Sequence, residues 1–173
     1  MCLNDSNKPM ITMNDNTIKY IDYEEVISVY GRMILKSGGG FDGVRDEDGI
    51  KGILEFVQND LYYPLFEDKL TYLVFRFCSG HYFNDGNKRI ALTLGAYFLH
   101  KNGYNWHALI FMKQLEAIIY HVAASNIDQK LLLRVIQAFL QGLDYDESLK
   151  LDLALAMSQG ELGIKGEDYT IEK

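Results

Sequence analysis

Apolar residues recur at three- and four-residue intervals along most of this chain, and no stretch alternates convincingly enough to form a sheet. That period predicts an all-α bundle. Asp22 with Glu25 three residues on is a capping-box pattern, and Val26, Val29, Tyr30, Met33 and Ile34 follow as one stripe that Gly38 ends. Ile50, Ile53, Leu54 and Val57 mark a second helix. Pro64 suits the first turn of a third, Glu67 and Asp68 favour its positive end, and Leu70, Val74 and Phe77 lie on its inner face before Ser79-Gly80. Further helices are expected over Lys88–Lys101, Leu109–Ala124 and Asp128–Gln141, the last with Ser125 and Asn126 as cap candidates and Gly142 as terminator. Between the first two helices, Ser37 to Gly49 reads SGGGFDGVRDEDG, too rich in glycine for regular helix. It is expected to be a mobile loop or short β-hairpin.

The chain has 173 residues, 48% of them hydrophobic and 24% charged, which suits one soluble domain with a real core. No apolar run is long enough to span a bilayer, so no membrane role is expected. Nor do the first twenty residues carry a signal-peptide pattern, so a cytoplasmic location is expected. Cys2 and Cys78 are too far apart in sequence to suggest a disulfide framework and read as free thiols. The net charge of −7 is concentrated in residues 144–173, where eight acids meet three lysines. That leaves fourteen cations and sixteen acids elsewhere, with no basic stripe, so nucleic-acid binding is not expected. Three regions follow: a flexible N-terminal segment (1–19), a helical domain (20–143) and an acidic extension (144–173). The extension reads as a disordered tail in preference to a docking element, although Leu149 and Leu153 have the spacing of a short amphipathic helix.

The chemistry is concentrated in HYFNDGNKR, His81 to Arg89, between two apolar helices. His81 follows a helix C-terminus, where exposed carbonyls favour an imidazolium, and can serve as proton acceptor. Gly86, Asn87 and Lys88 open the next helix, whose unpaired N–H groups form an anion site. Asp85 just before them can hold Mg²⁺, which takes one or two carboxylates plus phosphate oxygens. Arg89 offers a planar fork for phosphate. Phe83 reads as an apolar peg fixing the loop, and Asn87 as either phosphate ligand or brace. Singly, each residue has a bland explanation as turn, cap or solvated side chain. The combination in nine residues points to phosphate-group transfer. His100, His107 and His121 show no mutual ligand spacing, and Trp106 reads as a packing anchor.

The same nine residues resemble the signature of the Fic/Doc family, His-x-Phe-x-acid-Gly-Asn-x-Arg, most closely in its death-on-curing (Doc) branch. GGGFDGVRDEDG, LYYPLFEDKLTYLVF and IALTLGAYFLHKNGY are similar to the flanking elements of that branch, so the resemblance covers roughly residues 20–142. It implies a compact helical bundle with a small β-hairpin flap beside the active loop. Gly40, Phe41, Asp42 and Gly43 would then dock the target as an added strand. It also implies His81 as general base, Asp85 as Mg²⁺ ligand, and Gly86, Asn87, Lys88 and Arg89 as binders of ATP phosphates.

Family members that move AMP carry a second glycine where this chain has Lys88, and many have a second arginine where it has Leu92. Doc-like members carry the lysine, which implies transfer of the γ-phosphoryl group onto elongation factor Tu, arresting translation. Gly86 stands where the Doc branch has alanine. The alternatives are an AMP transferase acting on a protein hydroxyl, and an inactive module that binds only nucleotide or antitoxin. The inhibitory-helix pattern of many Fic proteins is missing, since Ser158-Gln-Gly-Glu161 has the wrong spacing. Control by a separate antitoxin is therefore implied.

Overall fold

A computed structural model describes residues 17–37 and 43–162, with backbone alone for 159–162. The described residues form seven helices: α1 (Tyr23–Lys36), α2 (Glu47–Phe56), α3 (Phe66–Ser79), α4 (Asn87–Lys101), α5 (Asn105–Ala123), α6 (Gln129–Gln141) and α7 (Glu147–Leu162). The all-α expectation holds.

Local chemistry accounts for the helix ends. The Asp22 carboxylate accepts from the Glu25 amide at 2.8 Å, while Glu25 accepts from the Asp22 amide at 3.0 Å. This closes the capping box at α1. Asp46 caps α2 through the Gly49 amide at 2.8 Å, so this helix begins inside the segment expected to be loop. Asp46 supplies the missing N-terminal acceptor, and Gly49 is tolerated in the first turn. Pro64 lies just outside α3, whose cap residue is Leu65. Asp128, not Ser125 or Asn126, caps α6, accepting from the Leu131 amide. Gly142 ends α6 in the left-handed conformation, φ +63°.

Helix α4 is the central post, packed on α3 along one side and α5 along another, with α1 on a third. Its buried residues accordingly run around much of its circumference: Ile90, Ala91, Leu92, Leu94, Gly95, Phe98 and Leu99. Gly95 permits this closeness, because a Cβ there would lie 2.5 Å from the Phe111 ring and 2.8 Å from Val74 Cγ2. Helix α6 covers the far side of α3. Lys69, fully buried, donates to Asp60 at 2.7 Å and to the Val57 carbonyl at 3.1 Å, tying α3 to the turn after α2.

Two expectations are corrected. Residues 147–158 are not a disordered tail. They form the greater part of helix α7, which rests on α6 and α5 and puts Leu149, Leu153 and Ala156 into the core. Nor do the described residues contain a β-hairpin flap. Gly40, Phe41 and Asp42 lie outside the described residues; of the four flap positions only Gly43 lies within them. The described end of that segment instead makes a single antiparallel bridge, Val44 with Phe83, against the loop preceding α4. Around this bridge the Arg45 and Asp46 amides and the Gly43 carbonyl find their partners on that loop.

Candidate active site

The loop from His81 to Gly86 joins the C-terminal end of α3 to the N-terminal end of α4, and its backbone is held from three directions. From the segment before α2, the Arg45 and Asp46 amides donate to the Tyr82 carbonyl at 2.8 and 3.2 Å, and the Asn84 amide donates to the Gly43 carbonyl at 3.0 Å. From α1, the Tyr30 ring stacks on Phe83 at 4.1 Å between centroids, and its hydroxyl donates to the Asp85 carbonyl at 3.1 Å. From α4, the Asn87 side chain grips the Phe83 backbone twice. Its Oδ1 accepts from the Phe83 amide at 3.1 Å, and its Nδ2 donates to the Phe83 carbonyl at 2.9 Å. Phe83 itself is 1% exposed, an apolar peg driven into the core.

In these contacts the Asn87 side chain braces the loop, while its main-chain N–H opens α4. Gly86 is the N-cap with φ +81°, a backbone region that side-chain-bearing residues avoid. A Cβ there would also lie 3.0 Å from Met33 Cε and 3.3 Å from Arg89 Nη2. The first-turn N–H groups of Asn87, Lys88 and Arg89 have no acceptor one turn back in α4, as at any helix start.

The side chains expected to carry the chemistry stand outside this frame. His81 is exposed directly after the Gly80 cap of α3, and Asp85 and Lys88 are exposed beside it in the sequence. Asp85 turns both oxygens toward the helix start: Oδ1 accepts from the Gly86 amide at 2.6 Å and Oδ2 from Arg89 Nη2 at 3.0 Å. Its side chain remains about half exposed (49%). The two donors expected to meet phosphate thus hold the neighbouring carboxylate, and so already define an anion-binding geometry. The donor set also fits one hard cation. A single accessible carboxylate beside an anion site suits Mg²⁺ shared with phosphate oxygens. Among the described residues no cluster of three or more His, Cys, Asp or Glu side chains is placed to hold a metal by itself. The Lys88 ammonium sits 5.0 Å from the centre of the Tyr120 ring on α5.

Other candidates fall away from this centre. Leu92 is buried in the core, so its position offers nothing to a phosphate. Cys78 is a buried free thiol within α3 that donates to the Ile119 carbonyl at 3.4 Å, and burial pushes its pKa up to about 11. It is a packing residue rather than a nucleophile. Trp106, expected to anchor packing, is 68% exposed. Two clefts among the described residues lie elsewhere: one between residues 20–23 and α2, the other where α5 meets the 142–145 turn. Neither cleft is lined by residues of the His81–Arg89 loop.

Tyr30 and Tyr120 were not legible as site residues. Tyr30 belongs to the apolar stripe of α1, and Tyr120 lies 31 residues beyond the motif. Only their proximity in the fold marks them. Among the described residues, no helix is long and apolar enough to cross a membrane.

The model of the Fic/DOC family matches residues 20–99. Protein kinase doc of Escherichia phage P1 is 38% identical over 90 residues, which span 50% of this chain and 70% of that protein.

Proposed function

This chain belongs to the Fic/Doc family, and from that premise we propose that it is a Doc-like toxin that phosphorylates a protein target. The γ-phosphoryl group of ATP passes to a hydroxyl of that target, for which we propose elongation factor Tu, and translation stops. A separate antitoxin restrains it. The observation that carries the reading is Lys88. It places a side-chain cation where AMP-transferring members have a second glycine, while Leu92 is buried where many of them have a second arginine. The similarity to a protein named as a kinase supports the same direction.

The chain's own groups can divide the work. The first-turn amides of α4 and the Arg89 guanidinium bind phosphate oxygens. Asp85 would hold Mg²⁺, which supplies charge neutralisation for the phosphates. Freed from Asp85, Arg89 and the Gly86 amide turn from carboxylate to phosphate. His81, exposed to solvent, takes the proton of the target hydroxyl. The new bond joins that oxygen to the γ-phosphorus, the bond from the γ-phosphorus to the β–γ bridging oxygen breaks, and ADP leaves. Such transfer needs positioning and charge stabilisation more than covalent help from the protein. The exposure of His81 suits it, because the acceptor is a folded protein and must reach the imidazole.

Incubation of the purified protein with elongation factor Tu and ATP labelled separately at the α and γ positions tests this. Label from the γ position alone is expected in the target. Label from the α position would assign AMP transfer, and label from neither would favour a binding module.

A further inference from the structure

Lys88 and Arg89 are adjacent in sequence, so on a helix their side chains leave about 100° apart. The structure gives each a different anchor. Arg89 folds back toward Asp85 and the Gly86 side of the loop. Lys88 reaches across to α5, where its ammonium lies over the Tyr120 ring. Tyr120 is in the last turn of α5 and 60% exposed, so burial does not explain the aromatic ring there. Beneath it the α5 backbone is fixed to α3, since the Ile119 carbonyl accepts from the Cys78 thiol. Tyr120 also meets the neighbouring His121 ring edge-on at 5.5 Å. The ring thus has a ring neighbour on α5, and the adjoining backbone is bonded to α3. A lysine stem has four rotatable carbons and loses much of its freedom once its head rests on such a face.

We propose that Tyr120 is a positioning residue that holds the Lys88 ammonium on the α5 side of the loop, away from Arg89, so that the two cations receive the polyphosphate from different sides. This rests on the phosphotransfer reading given above, and it adds a residue from outside the motif and beyond residues 20–99. The residue acts through Lys88 and needs no contact with the reacting atoms. An exposed cation–π contact contributes about 0.5–1 kcal/mol, so its loss should cost about two- to fivefold in productive ATP binding.

A double-mutant cycle tests the coupling. KM for ATP and kcat are measured for the wild type, Tyr120→Leu, Tyr120→Phe, Lys88→Ala and the Tyr120→Leu/Lys88→Ala double variant. Tyr120→Leu should lower kcat/KM about two- to fivefold, chiefly through KM, and Tyr120→Phe should restore it because the ring face is kept. In the Lys88→Ala background, Tyr120→Leu should have no further effect. The proposal is overturned if Tyr120→Leu matches the wild type, if phenylalanine fails to rescue, or if the leucine effect persists undiminished without Lys88. Should the wild type transfer no phosphoryl group, the phosphotransfer reading falls on its own. ATP dissociation constants from calorimetry on the same proteins then decide about Tyr120: coupled losses support it, and independent or absent losses overturn it.

Discussion

At the scale of single residues, the motif divides into residues that brace the loop and exposed residues to which the proposed chemistry is assigned. Phe83 and the Asn87 side chain spend their contacts on the loop backbone, whereas His81, Asp85 and Lys88 face solvent. His81, Asp85 and Lys88 stand out in the sequence because their residue types are unusual in combination. Tyr30 does not, because its hydroxyl reaches Asp85 across 55 positions of sequence. Tyr30→Phe keeps the ring that stacks on Phe83 and removes the hydroxyl. The variant is expected to lose about 1 kcal/mol in denaturant melts, the net worth of one hydrogen bond. It should also transfer phosphate more slowly at temperatures where it is fully folded. An unchanged transfer rate would show that the Asp85 carbonyl needs no such support.

At the scale of elements, helices with strong period and polar caps were legible, and the irregular stretches were not. The capping box of α1 was visible because its residues are three apart. The start of α2 was obscured because Asp46, Glu47 and Asp48 lie beside glycines that read as loop. The expected hairpin was a matter of partners: the described end of that segment pairs with the active loop itself, which no local pattern announces. Glu25 carries a second task beyond its cap, linking α1 to α4 through Lys101 and Tyr97. Burial alone would raise its pKa, but the Lys101 and Tyr97 hydrogen bonds and the Asp22 amide together hold it below the ordinary carboxylate value. A depressed folded-state pKa adds stability above the unfolded-state value, and that stability is lost as pH falls through the folded-state value. Thermal melts from neutral to acid pH should therefore fall more steeply for wild type than for Glu25→Gln, and the two should converge at the acid end. Parallel curves would contradict the linkage.

For the whole molecule, the bundle was legible in outline, while the seventh helix was underestimated. Its alternating leucines fit strand and helix alike, and the acids around them suggested solvation; only the surface offered by α6 and α5 decides the matter. Leu153→Ala, on the buried side of α7, is expected to cost about 2–4 kcal/mol, and Leu155→Ala, 52% exposed, less than about 0.5 kcal/mol. Equal effects in denaturant melts would mean that α7 does not dock as described. Helices α1, α3 and α4 converge on the loop that carries the exposed His81 imidazole, the group on which the proposed transfer depends most. The most direct test is the single-turnover rate of γ-phosphoryl transfer by His81→Ala against wild type, with circular dichroism confirming equal folding. Loss of a general base should slow transfer by about 10²- to 10⁴-fold, whereas a rate within a few-fold of wild type would contradict the assignment of the loop as the reaction centre.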